Sequence, residues 1–288
     1  MDSPRDLRRR IKSIGGTAQI TKAMQMVAAS KMRKAQQAAV NVRPFIRLLY
    51  RIQRQATTRA VEFKHPLLDV RPVRKRAVIL VASDKGLCGA LNSNLFRLAG
   101  RLDPHTTVFI AAGRKAAQFI ARTRRQLAAE FPYGDTPQFA ESRAIAAMAR
   151  DLFLNGEVDQ VDLIATRFVN TLVQQPVTMS LLPIADIKGV EIPGVPPPEA
   201  LAADDREFLF EPGADDIVAY LLGHYLNVTV HLALLNAKAS EQSARMVSMK
   251  GATDNAAEMI SDLTLAYNKL RQGRITQELL EIAGGQAQ

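Results

Sequence analysis

The stretch Leu221-Leu-Gly-His-Tyr-Leu-Asn-Val-Thr-Val-His-Leu-Ala-Leu-Leu-Asn-Ala-Lys-Ala-Ser-Glu-Gln242 opens a run in which apolar residues recur at alternating steps of four and three. Followed to its end, the series is Leu221, Tyr225, Val228, Leu232, Leu235, Ala239, Gln242, Met246, Met249, Thr253, Ala256, Ile260, Leu263, Tyr267 and Leu270, thirteen of fifteen apolar. The step does not slip over seven heptads, which is the seam of a coiled coil. Pro212-Gly213 with Asp215 and Asp216 reads as the start of this helix, and Gly284-Gly285 as its end. About 70 residues at a rise of about 1.5 Å make a helix of roughly 100 Å, far beyond ordinary globular lengths.

The other end of the chain answers it. The same steps from Leu7 give Ile11, Ile14, Ala18, Thr21, Gln25, Ala28, Met32, Ala35, Ala39, Val42, Ile46, Leu49 and Gln53, eleven of fourteen apolar with Leu7 included. Gly15-Gly16 is expected to weaken this helix, by about 1 kcal/mol per Gly relative to Ala, and Pro44 to kink it. The two helices read as an antiparallel coiled coil whose Ala-, Met- and Thr-containing seam permits close approach but only a modest grip.

Between them the pattern changes. Arg76-Ala-Val-Ile-Leu-Val-Ala82 is a buried-strand run followed by a Gly-containing turn and a helix over Leu91–Gly100. Thr106–Ala112 and Arg114–Thr123 repeat the scheme, Ser142–Leu154 is a further helix, and Val161–Phe168 and Val177–Leu182 are further strands. This alternation predicts a Rossmann-like, mostly parallel open sheet. Ile192-Pro-Gly-Val-Pro-Pro-Pro198 cannot be helical and marks a linker. The expected layout is an N-terminal coiled-coil helix over 1–58, an α/β domain over 74–190, a Pro-rich linker over 191–211 and a C-terminal coiled-coil helix over 212–284.

Charge is placed unevenly. Residues 1–60 hold 14 Lys/Arg against two Asp, a surplus of +12, residues 61–203 carry +3, and residues 204–288 carry −5, which recovers the net +10. The ends attract each other, and the basic surplus suits an acidic partner. One Cys excludes an internal disulfide framework. No stretch has the roughly 18 uninterrupted apolar residues of a membrane span, and the charged start lacks a secretory signal core, so the chain reads as soluble and intracellular.

Few groups suggest chemistry. Ser83-Asp-Lys-Gly-Leu-Cys-Gly-Ala-Leu-Asn92 lies where α/β folds place phosphates, yet it matches neither the dinucleotide fingerprint nor the P-loop. A structural turn, or one presenting Lys85, is the stronger reading, and a nucleotide-binding enzyme using this turn is the alternative. Cys88 has no evident His base among His65, His105, His224 and His231. His224 and His231 share a helix face one heptad apart and read as packed or solvated positions rather than metal ligands. Arg8-Arg9-Arg10 with Lys12 is a possible nucleic-acid patch, but residues 1–44 have no aromatics for stacking on bases. No catalytic, cofactor-binding or metal site is expected.

Three long motifs resemble the gamma subunit of F-type ATP synthases. Ile20-Thr-Lys-Ala-Met-Gln-Met-Val-Ala-Ala-Ser-Lys-Met-Arg-Lys-Ala-Gln36 is similar to the family's N-terminal signature. Ser240–Ala256 and Leu263–Leu279 are similar to its C-terminal signature, and Ser83–Asn92 resembles its Ser-Asp-Arg-Gly-Leu-Cys-Gly-Gly-Leu-Asn turn. The resemblance implies a non-catalytic central rotor shaft, turned by a proton-driven ring of c subunits and acting on the alpha and beta subunits of the catalytic head. It implies an epsilon subunit beside the α/β domain, no nucleic acid, no cofactor, membrane contact only through the complex, and a peripheral place on the cytoplasmic face of a bacterial membrane. It also carries over contact residues toward the alpha/beta ring: Met24, Lys85, Cys88, Arg245, Arg271 and Gln272.

Overall fold

The structure, a computed structural model, describes residues 3–59, 64–184 and 214–285. In chain order the elements are α1 (Pro4–Arg59), a short 3-10 turn (Pro66–Leu68), β1 (Arg76–Val81), α2 (Leu91–Gly100), β2 (Thr107–Ala112), α3 (Arg114–Arg122), β3 (Gln126–Phe131), α4 (Phe139–Leu154), β4 (Gln160–Phe168), β5 (Gln174–Leu182) and α5 (Ala214–Gly285). Two long helices thus flank, in sequence, an α/β domain of five strands. Contacts divide the chain into two compact units, one comprising Ser30–Ala244 and the other the residues up to Ala29 together with those from Arg245 onward.

In the Ser30–Ala244 unit the strand order is β3-β2-β1-β4-β5. The pairs β1–β2, β1–β4 and β2–β3 are parallel, and β5 closes the sheet antiparallel to β4. The mostly parallel, Rossmann-like arrangement is therefore present, with one strand reversed. Pro176 is accommodated because β5 is an edge strand, where a missing donor is tolerated. The other edge, β3, lay outside the expected strands. Its Gln126-Leu-Ala-Ala-Glu-Phe131 is short, mixed and largely exposed, so it lacks a buried-strand signature.

Alternating side chains of the central strands feed two apolar layers. Ala77, Ile79 and Val81 join Ile145, Ala149 and Phe153 of α4 and Leu222, Leu226 and Val230 of α5 on one face. Val78 and Leu80 join Leu95 of α2 and Phe119 and Ile120 of α3 on the other. Burying a side chain of this size contributes roughly 1.5–3 kcal/mol relative to exposure, so these layers dominate the unit's stability.

The heptad reading of α5 needs an extension here. No residue from Leu221 to Arg245 is exposed, so this part of α5 is buried on the sheet side as well as along the expected seam. The off-seam residues Leu222, Leu226, Val230 and Leu234 pack into the sheet-side core and cause the difference. The same stretch makes α5 the one described helix apolar enough by length and composition to cross a membrane, but 56% of that window is buried inside the protein.

In the unit of residues up to Ala29 and from Arg245, the seam behaves as expected. Leu7, Thr21 and Ala28 of α1 and Met249 and Ala256 of α5 are buried, with Ile11, Ile14, Ala18, Gln25, Met246, Thr253, Ile260, Leu263, Tyr267 and Leu270 half-buried. Nearly all intervening positions are exposed. Thr21 Oγ1 and Thr253 Oγ1, both seam positions, meet at 2.7 Å. Helix α1 runs through Gly15, Gly16 and Pro44 without interruption. The expected linker, Ile192–Pro198, lies outside the described residues, as do the side chains of Ile46, Leu49 and Gln53.

Candidate partner-contact surfaces

The Ser83–Asn92 turn closes on itself. Asn92 Nδ2 donates to Ser83 Oγ at 2.7 Å, Ser83 Oγ donates to the Lys85 carbonyl at 2.8 Å, and Ser83 N donates to Asn92 Oδ1 at 3.2 Å. Left-handed backbone at Leu87 and Gly89 reverses the chain between them. Arg114 N donates to Asp84 Oδ1 at 2.9 Å and Lys115 N to the Ser83 carbonyl at 3.0 Å, so the turn is also pinned to the start of α3. Lys85, Gly86 and Leu87 are exposed at its tip. Cys88 points inward and is 2% exposed, with Asn92 Nδ2 at 3.5 Å from its sulfur. The sequence motif gave no sign of that direction. Lys85 is thus exposed at the tip, whereas the Cys88 thiol packs inside the turn.

A polar cluster that sequence reasoning missed sits in the same unit. Lys238 of α5 is 2% exposed and 3.1 Å from Glu241 Oε2. Its ammonium stands 4.7 Å from the centre of the Tyr133 ring. Asp135 accepts from Lys31 of α1 at 2.6 Å and lies 3.9 Å from Lys238. The Lys31 hydrogen bond is the main reason the Asp135 carboxyl titrates below the usual range, helped by the charges of Lys31, Lys238 and Lys85. Burial pushes the Tyr133 hydroxyl well above its ordinary value, and it donates to the Ala82 carbonyl at 2.9 Å. A signal was present: Lys238 and Glu241 lie three apart on one helix, a spacing that lets them pair.

His231 is a core histidine. Its Nδ1 lies 2.8 Å from Ser142 Oγ, and burial lowers its pKa from 6.5. His224 packs among Phe45, Phe139 and Tyr220. Among the described residues no group of three or more His, Cys, Asp or Glu could hold a metal ion.

The remaining expected contact residues belong to the helix-pair unit. Met24 is half-buried, Arg245 is 8% exposed, and Arg271 and Gln272 are exposed. The antiparallel Thr21–Thr253 contact orders them along the pair. Met24 is three residues past Thr21 and Arg245 eight before Thr253, so both lie on one side of that contact, at about 4.5 and about 12 Å. Arg271 and Gln272 lie on the other side, roughly 27–29 Å along α5. The four helix-pair residues therefore do not form one site: Met24 and Arg245 lie on one side of the Thr21–Thr253 contact, and Arg271 and Gln272 lie on the other.

A family model described as ATP synthase matches residues 3–287. The chain is 47% identical over 296 residues to the ATP synthase gamma chain of Opitutus terrae, with 99% of this chain and 98% of that one covered. It is 43% identical to the ATP synthase gamma chain of Roseiflexus castenholzii, covering 100% and 98%. Among solved structures, the central stalk and c-ring of Tetrahymena thermophila mitochondrial ATP synthase aligns with a TM-score of 0.58 at 25% identity, covering 81% of this chain and 99% of that chain. The rotor of Euglena gracilis mitochondrial ATP synthase shares the fold at a TM-score of 0.63 and 19% identity, covering 94% and 98%.

Proposed function

The chain belongs to the gamma-chain family of ATP synthase and is the central-stalk subunit of an F-type enzyme, and from that premise we propose how it works and what it touches. The paired ends of α1 and α5 turn inside a ring of alternating alpha and beta subunits. The α/β domain rests on the c-ring beside the epsilon subunit, and proton flow through the membrane sector turns it. The chain performs no bond chemistry. It couples rotation to catalysis through contact energies that differ between the conformations of the beta subunits, as any conformational coupling requires. It is peripheral, on the cytoplasmic face of a bacterial membrane, and reaches the bilayer only through the complex.

The observation that best supports this reading is the division of the helix pair into a closed seam and an open outer face. Arg271 and Gln272 stand on that face. A guanidinium and an amide offer donors that can be exchanged between successive acidic or carbonyl acceptors during rotation. Lys85 makes the second contact from the turn tip, with Cys88 holding the turn from inside, and Met24 and Arg245 contribute from the helix pair. Replacing Arg271 and Gln272 together by Ala in the alpha–beta assembly is expected to lower ATP synthesis and hydrolysis by about tenfold, equivalent to about 1.4 kcal/mol of lost coupling. The chain should keep its helical circular dichroism and its co-purification with alpha and beta. Unchanged rates would remove the pair from the coupling contact, and failure to co-purify in the unmodified chain would overturn the reading itself.

A further inference from the structure

One short loop of the Ser30–Ala244 unit touches both terminal helices. Residues 132–138, between β3 and α4, carry Tyr133 and Asp135. Below, the Tyr133 hydroxyl fastens the loop to the sheet through the Ala82 carbonyl at 2.9 Å. Above, the Asp135 carboxylate has one oxygen on Lys31 of α1 at 2.6 Å and the other 3.9 Å from Lys238 of α5. A carboxylate is acceptor-only with two oxygens, so it can hold two ammonium groups at once.

We propose that Asp135 is a positioning residue, an ionic clasp that holds α1 against α5 within the α/β unit and sets how stiffly the two helices are joined there. The apolar alternative is weak beside Lys31, where the inward apolar residues are Met32, Ala35 and Ala39, with Val42 a full turn or more beyond. Alanine buries little area, so the apolar grip on this part of α1 is small and a charged contact counts for more. The clasp is also asymmetric. Lys31 and Asp135 side chains are 39% and 52% exposed, whereas Lys238 and Glu241 are 2% and 4% exposed. Dissolved salt screens the wet half and leaves the dry half alone. Releasing the clasp therefore frees α1, while α5 stays seated through Leu222, Leu226, Val230 and Leu234 in the sheet-side core. Its purpose as a stiffness-setting element rests on the rotor reading, but the clasp is a property of the chain and is tested on the chain.

The test is amide hydrogen exchange, followed by mass spectrometry, on the full-length chain at about 50 mM and about 500 mM salt. In the unmodified chain, amides of α1 over residues 30–40 should exchange several-fold faster at the higher salt, while those of α5 over 231–244 stay protected. Asp135→Asn should raise exchange over 30–40 about tenfold at low salt and abolish the salt dependence. Asp135→Glu should restore both, and the control Asp159→Asn should change neither. Unchanged exchange over 30–40 in Asp135→Asn would overturn the clasp, as would a uniform rise that includes β1, β4 and α4, because that would make Asp135 an ordinary contributor to fold stability. Failure of the chain to join alpha and beta subunits would sink the rotor reading and leave the exchange result standing.

Discussion

Thr21 and Thr253, 232 positions apart in the chain, bring their hydroxyl oxygens to 2.7 Å across the helix pair. Each oxygen is also within reach of its own helix: Thr21 Oγ1 of the Ala18 carbonyl at 3.1 Å, and Thr253 Oγ1 of the Met249 carbonyl at 2.9 Å. Two hydroxyl protons serve three contacts. At most one back-bond forms while the bridge between helices is made. The bridge is therefore exchangeable, a suitable property for two helices that need a defined register without a rigid lock.

That proton count gives a quantitative expectation. Thr21→Val leaves the Thr253 proton its own carbonyl, so the single change should destabilise by only about 0.5–1 kcal/mol. The double change Thr21→Val with Thr253→Val replaces a polar pair by a shape-matched apolar one and should be near neutral. A double-mutant cycle on urea unfolding checks this, and additive single effects would mean the two hydroxyls do not interact.

The buried pair on α5 behaves differently. Glu241→Gln removes the carboxylate 3.1 Å from the Lys238 ammonium, which is 2% exposed and has Asp135 at 3.9 Å. Breaking a dry ion pair from one side typically destabilises by about 3 kcal/mol or more. Thermal unfolding of the variant chain is the measurement. A change under about 1 kcal/mol would show that solvent or another anion compensates the lysine.

How much of this was legible beforehand differs by element. The seam from Met246 to Leu270 was, because a two-helix contact repeats with the helix and leaves its period in the sequence. The surroundings of Leu221–Gln242 were not. A helix buried on all sides contains every apolar period, and the 3-4 step was found there while Leu222, Leu226 and Leu234 carried the more informative signal. β1 and β2 were readable as unbroken apolar runs, whereas β3 pairs on one edge only and keeps polar residues. Among contact residues, the exposure of Lys85, Arg271 and Gln272 agrees with their polarity. The burial of Cys88 and Arg245 comes from tertiary packing, which residue type does not disclose.

Two glycines with positive φ make a paired test of why glycine is there. Gly113 has φ +93, and an added Cβ would fall 2.2 Å from the Ala82 carbonyl oxygen and 3.2 Å from the Tyr133 ring. Gly156 has φ +74 with open space around it. Gly156→Ala should cost only the left-handed backbone penalty of about 1–2 kcal/mol. Gly113→Ala adds a clash with backbone and should exceed about 3 kcal/mol, or prevent folding of the sheet's C-terminal edge. Urea midpoints order the two, and equal effects would remove the close approach to Ala82 as the reason for Gly113.

Acid should weaken the fold through its histidines. Burial is the main cause lowering the His231 pKa from 6.5, opposed by the charge of Glu141, and burial likewise lowers His224 and His65. A folded-state pKa below the unfolded one means the unfolded chain binds more protons in the interval between them. The stability contribution is therefore complete above about pH 6.5 and is lost as pH falls below it, through the depressed folded values. Asp135 acts in a separate and lower window, below its ordinary 3.8, because Lys31 holds its carboxyl ionised. His231→Asn keeps a polar group for Ser142 but cannot titrate. Its unfolding free energy should fall less steeply than that of the unmodified chain between pH 6.5 and 5, while Asp135→Asn should leave the slope in that interval unchanged. Unfolding curves at stepped pH decide it: an unaltered slope in His231→Asn would place the acid sensitivity at His224 or His65 instead.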